Sequence, residues 1–391
     1  MIERLALALM LGSLAAAAQA APLGKAVSIG YLELGGDPRY DERPGPGDSM
    51  IRPGRPVAGA ELAIGEVNLA ASPTGRSFSL VKEAAEDVAG LAQRIDALAP
   101  AGTHWFLVDA PDAAVAELAK AMRGRDVLLL NVSAPGDELR GAACQKNLAH
   151  VIPSRAMLAD ALAQLIAARK WPEVLALQGP LEEDKATTAA FERAAKRFGL
   201  KLTARRDFIV SNDPREREKA DVALLTGGAG YDVVFVADGE GEFARGLAYR
   251  TIRARPVVGA SGLVPVAWSW AFERYGAPQV SHRFERAAGR AMEGPDWAAW
   301  LAVRALGEAA ARSGAPDTAG VDAYLLGPGL ALDGAKGPPL SFRAWDHQLR
   351  QPILLATADA VVAEAPLPGF LHAKNVLDTL GYDEPETRCR F

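Results

Sequence analysis

The chain has 391 residues, 49% hydrophobic and 23% charged, with 38 glycines; this is an ordinary globular composition, long enough for two domains that each bury a core. A formal net charge of -5 offers no general attraction to a polyanion, which excludes nucleic acid and an anionic membrane surface as expected partners. Long polar tails and low-complexity tracts are absent, so a compact fold is expected over most of the length.

Residues 1–20 read as a signal peptide. Arg4 precedes an apolar run from Leu5 to Ala17, and Ala18-Gln19-Ala20 supplies the small-residue pattern that a signal peptidase cuts after. The run is too short and too Ala-rich for a membrane span. Cleavage before Ala21 is expected to leave a soluble chain in the periplasm, with no cysteine near the cut to carry a lipid. The two cysteines, Cys144 and Cys389, read more readily as a disulfide than as a metal or catalytic site in an oxidising compartment. Two unpaired thiols, one buried and one on a frayed tail, are the alternative.

From Val27 onward, short β-rich runs alternate with helical ones, the pattern of parallel sheets covered by helices. In residues 21–150, the first part of one lobe, Val27 to Leu32, Phe78 to Val81, His104 to Val108 and Val127 to Asn131 read as buried strands. Val88, Leu91, Ile95 and Leu98 recur at helical spacing, and Asp112 is placed to cap a helix over Ala113 to Met122. In residues 151–270, the first part of a second lobe, Ser154 is expected to cap a helix that stops at Trp171-Pro172. Strand Val174 to Gln178, helix Glu183 to Phe198, strand Leu200 to Phe208, strand Val233 to Ala237, a helix near Glu240 to Tyr249 and strand Pro256 to Gly259 follow. Residues 271–338, with a helix over Asp296 to Ala311 and another opening at Pro316-Asp317, bring no new set of strands and are expected to return to the first lobe. Residues 339–391 then make a last crossing and supply a strand of the second lobe and a C-terminal tail. The fold class is therefore α/β, two Rossmann-like lobes with several crossings that make a hinge.

Catalytic patterns are missing. His104, His150, His282, His347 and His372 are scattered without an HExxH or His-x-His, so no metal site is expected. There is no GxSxG elbow or GxxxxGK[ST] loop, and the glycines at 227, 228 and 230 read as a turn. The chain reads as a binding protein and not an enzyme.

Motifs along the whole mature length resemble one family. They include Ile29-Gly30-Tyr31-Leu32 with Asp37-Pro38-Arg39-Tyr40, Leu139-Arg140-Gly141 with Cys144, Pro153-Ser154-Arg155-Ala156-Met157, Arg255-Pro256-Val257, Ala298 to Arg304, Phe342-Arg343-Ala344-Trp345 and Gly369-Phe370-Leu371-His372. The chain resembles the type I periplasmic substrate-binding proteins of ABC transporters, the leucine-binding-protein-like group, and within it the branch associated with PQQ-dependent alcohol dehydrogenase systems. That resemblance implies a three-crossover hinge, a monomer, an ABC permease as partner and, with it or in its place, a PQQ-dependent dehydrogenase. It implies pyrroloquinoline quinone (PQQ) as bound ligand, for uptake or delivery; an amino acid or small aromatic acid is the alternative, and an accessory or redox partner of a dehydrogenase is the alternative of another class.

A flat trianion calls for an aromatic wall and guanidinium groups. Trp268 and Trp270 fit the first need, though alternation along a strand would leave one of them facing away. Arg39 with Tyr40, Arg140 and Arg250 fit the second, and Arg343 and Arg350 flank Trp345 near the last crossing. Lys146 is a candidate to add to a quinone carbonyl. For an amino acid, Asp109, Ser133 and Asp238 would take the ammonium and carboxylate.

Overall fold

The first lobe opens with β1 (Ala26–Leu34), a short hairpin of β2 (Arg43–Pro44) and β3 (Met50–Ile51), and α1 (Val57–Ala71). It continues through β4 (Ser77–Ala85), α2 (Val88–Leu98), β5 (Trp105–Asp109), α3 (Asp112–Ala121), β6 (Leu128–Asn131) and β7 (Leu148–His150). The computed structural model describes residues 23–44, 49–211 and 213–391; the expected signal peptide, residues 1–20, lies outside them. The strands form one parallel sheet in the order β4-β1-β5-β6-β7. All five residues of β5 are buried, as a central strand covered on both faces requires. Gly30 lets β1 lie beside it: a Cβ there would stand 2.3 Å from the Phe106 ring.

The second lobe runs through α4 (Arg155–Ala168), β8 (Glu173–Gln178), α5 (Glu182–Arg197), β9 (Lys201–Asp207), α6 (Val222–Thr226), β10 (Val233–Ala237) and β11 (Val257–Gly259), with a parallel sheet in the order β11-β10-β8-β9. Ser154 caps α4 by accepting from the Met157 N–H. Asp112 does not cap α3 as the sequence suggested. Pro111 takes the cap position, and the Asp112 carboxylate accepts from the Gly136 N–H and from Arg155. The helix expected near Glu240 to Tyr249 is a 3-10 turn over Ala244–Tyr249. Glycines at 239, 241 and 246 weaken an α-helix there, and Asp238 holds the backbone N–H groups of Gly241 and Ala244.

After β12 (Val264–Val266) the chain returns to the first lobe as α7 (Ala277–Ala288), α8 (Gly294–Arg312) and α9 (Thr318–Leu325), then crosses once more to β13 (Ile353–Ala356) and β14 (Val361–Ala365). β12, β13 and β14 pair antiparallel. Trp297, Trp300, Leu301 and Leu306 of α8 share one core with Ile29, Trp105 and Leu130 of the first sheet. Phe191, Phe235 and Leu162 share another with Ile353 and Leu355. Two lobes with separate cores follow from that division.

The crossings run side by side. The His150 N–H donates to the His347 carbonyl at 2.9 Å and the Leu349 N–H to the His150 carbonyl at 2.8 Å, while the Gln351 amide donates to the Val151 carbonyl at 2.7 Å. Lys336 is fully buried below them, donating to Gln351 Oε1 at 3.0 Å and the Pro352 carbonyl at 3.1 Å with its Nζ 3.6 Å from the Trp297 ring centre. Residues 367–391, the C-terminal tail, pack first on the second lobe and end on the first, where Cys389 is bonded to Cys144.

Burial keeps His150 and His347 neutral: it lowers His150 well below its ordinary range, with Arg140 adding to the effect, and lowers His347 to about 4. The unfolded chain takes up each proton near pH 6.5, so the neutral form's stabilisation is present above that value and is lost as pH falls toward about 4 for His347. His104 runs the other way. Burial opposes its charge, but the hydrogen bond and charge of Asp322, with Asp126, raise its pKa, and its contribution fades as pH rises through that raised value. Replacing His347, whose φ of 51° suits asparagine, isolates one group. The stability difference between His347→Asn and the native chain, read by urea unfolding, is expected to change in the variant's favour by about 3 kcal/mol from pH 7 to pH 4. A constant difference across that range would refute a neutral buried imidazole.

Candidate functional site

A cleft of about 1130 Å³ separates the lobes. Its first-lobe wall comes from Ser133 and Pro135 after β6 and from Met292, Glu293 and Gly294 at the start of α8. Its second-lobe wall comes from Leu158 of α4, Arg245 and Tyr249 of the 3-10 turn, and the segment from Ser261 to Pro265. A smaller hollow of about 210 Å³ lies beside it and shares Pro135, Leu158, Val264 and Pro265. Ser133, Asp238 and Ala260 each follow the carboxyl end of a parallel strand, where α/β sheets hold their ligands.

Aromatic and apolar groups dominate the cleft. Trp268 is 2% exposed and lies within 14° of parallel to Trp297, ring centres 6.2 Å apart. Trp270 is 54% exposed, and both tryptophans border the cleft. The expectation that alternation would turn one away is corrected, because β12 ends at Val266 and residues 267–270 are not strand. Tyr249, Arg245 and Glu293 are cleft residues that the sequence reading did not single out. Glu293 sits at the N-cap of α8, where Asp296 three residues on completes a capping box; that spacing was the signal available.

On the first lobe, the charges the sequence offered to a ligand are engaged with one another. Asp109 is fully buried and accepts from four donors: Tyr40 Oη at 2.7 Å and Arg39 Nη2 at 3.3 Å on Oδ1, Arg55 Nη1 at 3.1 Å and Tyr31 Oη at 3.2 Å on Oδ2. Arg39 also makes a fork to Asp37, with Nη2 at 2.6 Å, and donates to the Ser133 carbonyl and hydroxyl. Burial first and the Asp109 charge second raise the pKa of both tyrosines, so their hydroxyls stay protonated donors. The network therefore acts as a brace under Ser133, which is the member that reaches the cleft.

The remaining candidates scatter. Arg140 is buried at the hinge, donating to Gln348 Oε1 and to the carbonyls of Ala134, Gly136 and Ile152. Burial lowers its pKa to about 10. Four backbone and amide acceptors leave it a structural pin, which corrects its assignment to a ligand carboxylate. Lys146 is exposed and borders a different hollow, beside Arg123 and Phe391; the chain carries it away from the cleft because it precedes β7, at the opposite end of the sheet. Arg250 is exposed and outside the cleft lining. Asp238 borders the smaller hollow, but its carboxylate holds the 3-10 turn. Arg343 and Arg350 converge on Asp378 of the C-terminal segment. Among the described residues, no group of three or more His, Cys, Asp or Glu side chains is gathered to hold a metal ion, and no helix is long and apolar enough to cross a membrane.

A family model described as periplasmic binding protein matches residues 45–363. No curated protein matches the chain in sequence. Among solved structures, the chain is similar to a branched chain amino acid ABC transporter periplasmic ligand-binding protein from Burkholderia xenovorans, with a TM-score of 0.71 at 14% identity over 93% of this chain and 99% of that one. It is similar to a leucine-, isoleucine-, valine-, threonine- and alanine-binding protein from Brucella ovis in a closed conformation, TM-score 0.63, 16% identity, 84% and 88% covered. It is also similar to a branched-chain amino acid transporter substrate binding protein from Streptococcus pneumoniae in complex with isoleucine, TM-score 0.63, 17% identity, 87% and 98% covered. At these identities the likeness is one of fold.

Proposed function

The chain belongs to the periplasmic binding protein family, with the type I fold, and from that premise we propose that it captures an amino acid or a small aromatic acid between its lobes and presents it to an ABC permease. The observation that carries this reading is the cleft of about 1130 Å³ between two α/β lobes, walled by Trp268, Trp270, Tyr249 and aliphatic groups, with Ser133, Arg245 and Glu293 as polar points. An apolar hollow with a few polar groups is the usual form of a small-molecule site. A zwitterion suits it: Glu293 on one wall is of the right sign for an ammonium, Arg245 on the other for a carboxylate. The structural neighbours whose names give a ligand name leucine, isoleucine or similar amino acids. PQQ, which the finer resemblance implied, draws less support, because Arg140 and Arg250, two of the arginines meant for its carboxylates, do not border the cleft.

Capture follows from the hinge. Contacts from both walls exist together when the cleft shuts, so ligand shifts the population toward the closed form by its differential affinity. Calorimetric titration of the ligand-stripped protein with a panel of amino acids, aromatic acids and PQQ is expected to show saturable binding of an amino acid or aromatic acid. Exclusive binding of PQQ would displace this reading in favour of the quinone, and no binding by any member would overturn solute capture of this class.

A further inference from the structure

Two aromatic side chains at the cleft mouth face solvent. Tyr249 is 95% exposed and Trp270 54% exposed, which gives up most of the burial that rings of this size contribute elsewhere in a fold. They belong to opposite lobes and border the same cavity. Their mounts are rigid. Tyr249 ends the turn Ala244–Tyr249, whose Ala244 and Leu247 are buried in the second-lobe core and whose start is pinned by Asp238. Trp270 lies between Trp268 and Phe272, both buried in the first-lobe core.

We propose that Trp270 and Tyr249 are the two jaws of an aromatic clamp that closes on opposite faces of a planar ring, making an aromatic amino acid or aryl carboxylate the preferred ligand. The proposal rests on the solute-capture reading above and narrows it. A ring offers two flat faces, and stacking on each adds to simple burial; a branched aliphatic side chain offers none. Stacking also requires the lobes to close, so the clamp ties ring recognition to closure. Arg245 stands four residues before Tyr249 on the same turn and borders the same wall, where its guanidinium suits the carboxylate carried by such a ligand.

The experiment uses the ligand-stripped full protein and calorimetry with L-tryptophan, phenylacetate, L-leucine and L-isoleucine. At least one aromatic probe is expected to bind about tenfold or more tightly than either aliphatic one. Tyr249→Ala and Trp270→Ala should each weaken that probe by about tenfold and leave leucine within about threefold, while Tyr249→Phe and Trp270→Phe keep the native affinity within about threefold. Both positions are solvent-facing, so melting temperatures should be unchanged, and this separates lost contact from lost folding. Tighter binding of leucine or isoleucine, or alanine variants that bind aromatic probes like the native chain, would overturn the clamp and leave solute capture standing. Failure of all four probes to bind would overturn the clamp, and failure of the full panel given above would overturn solute capture with it.

Discussion

Replacing Asp109 with alanine is expected to destabilise the protein by about 3–5 kcal/mol, because it strips the shared acceptor from two guanidinium groups and two phenol hydroxyls in a buried setting. Arg39 retains Asp37, while Arg55 keeps a 3.7 Å approach to Glu33, a bond to the Leu34 carbonyl and its place over the Tyr40 ring, but no carboxylate within hydrogen-bond distance. Tyr31, fully buried, is left with an unpaired hydroxyl. Asp109→Asn keeps an acceptor oxygen while losing the charge, so it should fall between alanine and the native chain. The consequence reaches the cleft: Arg39, held by Asp109 and Asp37, donates to Ser133, and the loss of one of its two anchors loosens the wall that Ser133 contributes. Urea unfolding of the three proteins tests the brace. A loss below about 1 kcal/mol for Asp109→Ala would mean the four donors find other partners and that the network is not the support it is taken for.

That network also shows where the sequence stops being legible. The central strands were readable because runs such as Trp105 to Val108 are apolar throughout, as a covered parallel strand must be. Ser154 was readable as a cap because its acceptor role is local. α1 gave little signal, since its Ala- and Gly-rich face replaces bulky periodicity with close approach: a Cβ on Gly59 would stand 2.0 Å from the Asp296 carbonyl of α8. The β12-β13 pairing joins segments about ninety residues apart and leaves no mark in either alone. Asp109 looked like a ligand group because it ends a strand in the crevice. Its partners sit 54 to 78 residues earlier, and only the folded chain reveals that they already satisfy it. Tyr249 escaped notice for the converse reason: nothing local marks an aromatic residue that the fold leaves exposed over a cleft.

The Cys144–Cys389 bond carries the second large expectation. It closes a loop across a sequence separation of 245, and in the chain-entropy account a loop of that length stabilises the folded state by about 5 kcal/mol through the unfolded ensemble. The double variant Cys144→Ser, Cys389→Ser should therefore unfold at markedly lower urea, with the loss at or below that figure. It should also change the hinge. The segment before Cys389 is held by the second lobe: the Leu367 N–H donates to Gln164, the Gly381 N–H to Asp160 and Arg197 to the Gly381 carbonyl. Its end is held by the first, through the disulfide, the Thr387 hydroxyl on the Arg140 carbonyl, and Phe391 against the His347 ring at 4.3 Å. The tail is thus a fourth connection between lobes already joined by three crossings. With the bond removed, that connection keeps the Thr387 hydrogen bond, the Phe391 ring contact and the packing of Leu377 in the first-lobe core, without a covalent tie at its end, and the ligand-free protein should sample wider opening. Small-angle scattering of the ligand-free double variant is expected to give a larger radius of gyration than the native chain. Lower stability with an unchanged radius would confine the disulfide's effect to the unfolded chain. An unchanged urea midpoint would show that the tail holds its place on the first lobe without it, and that loop entropy contributes little here.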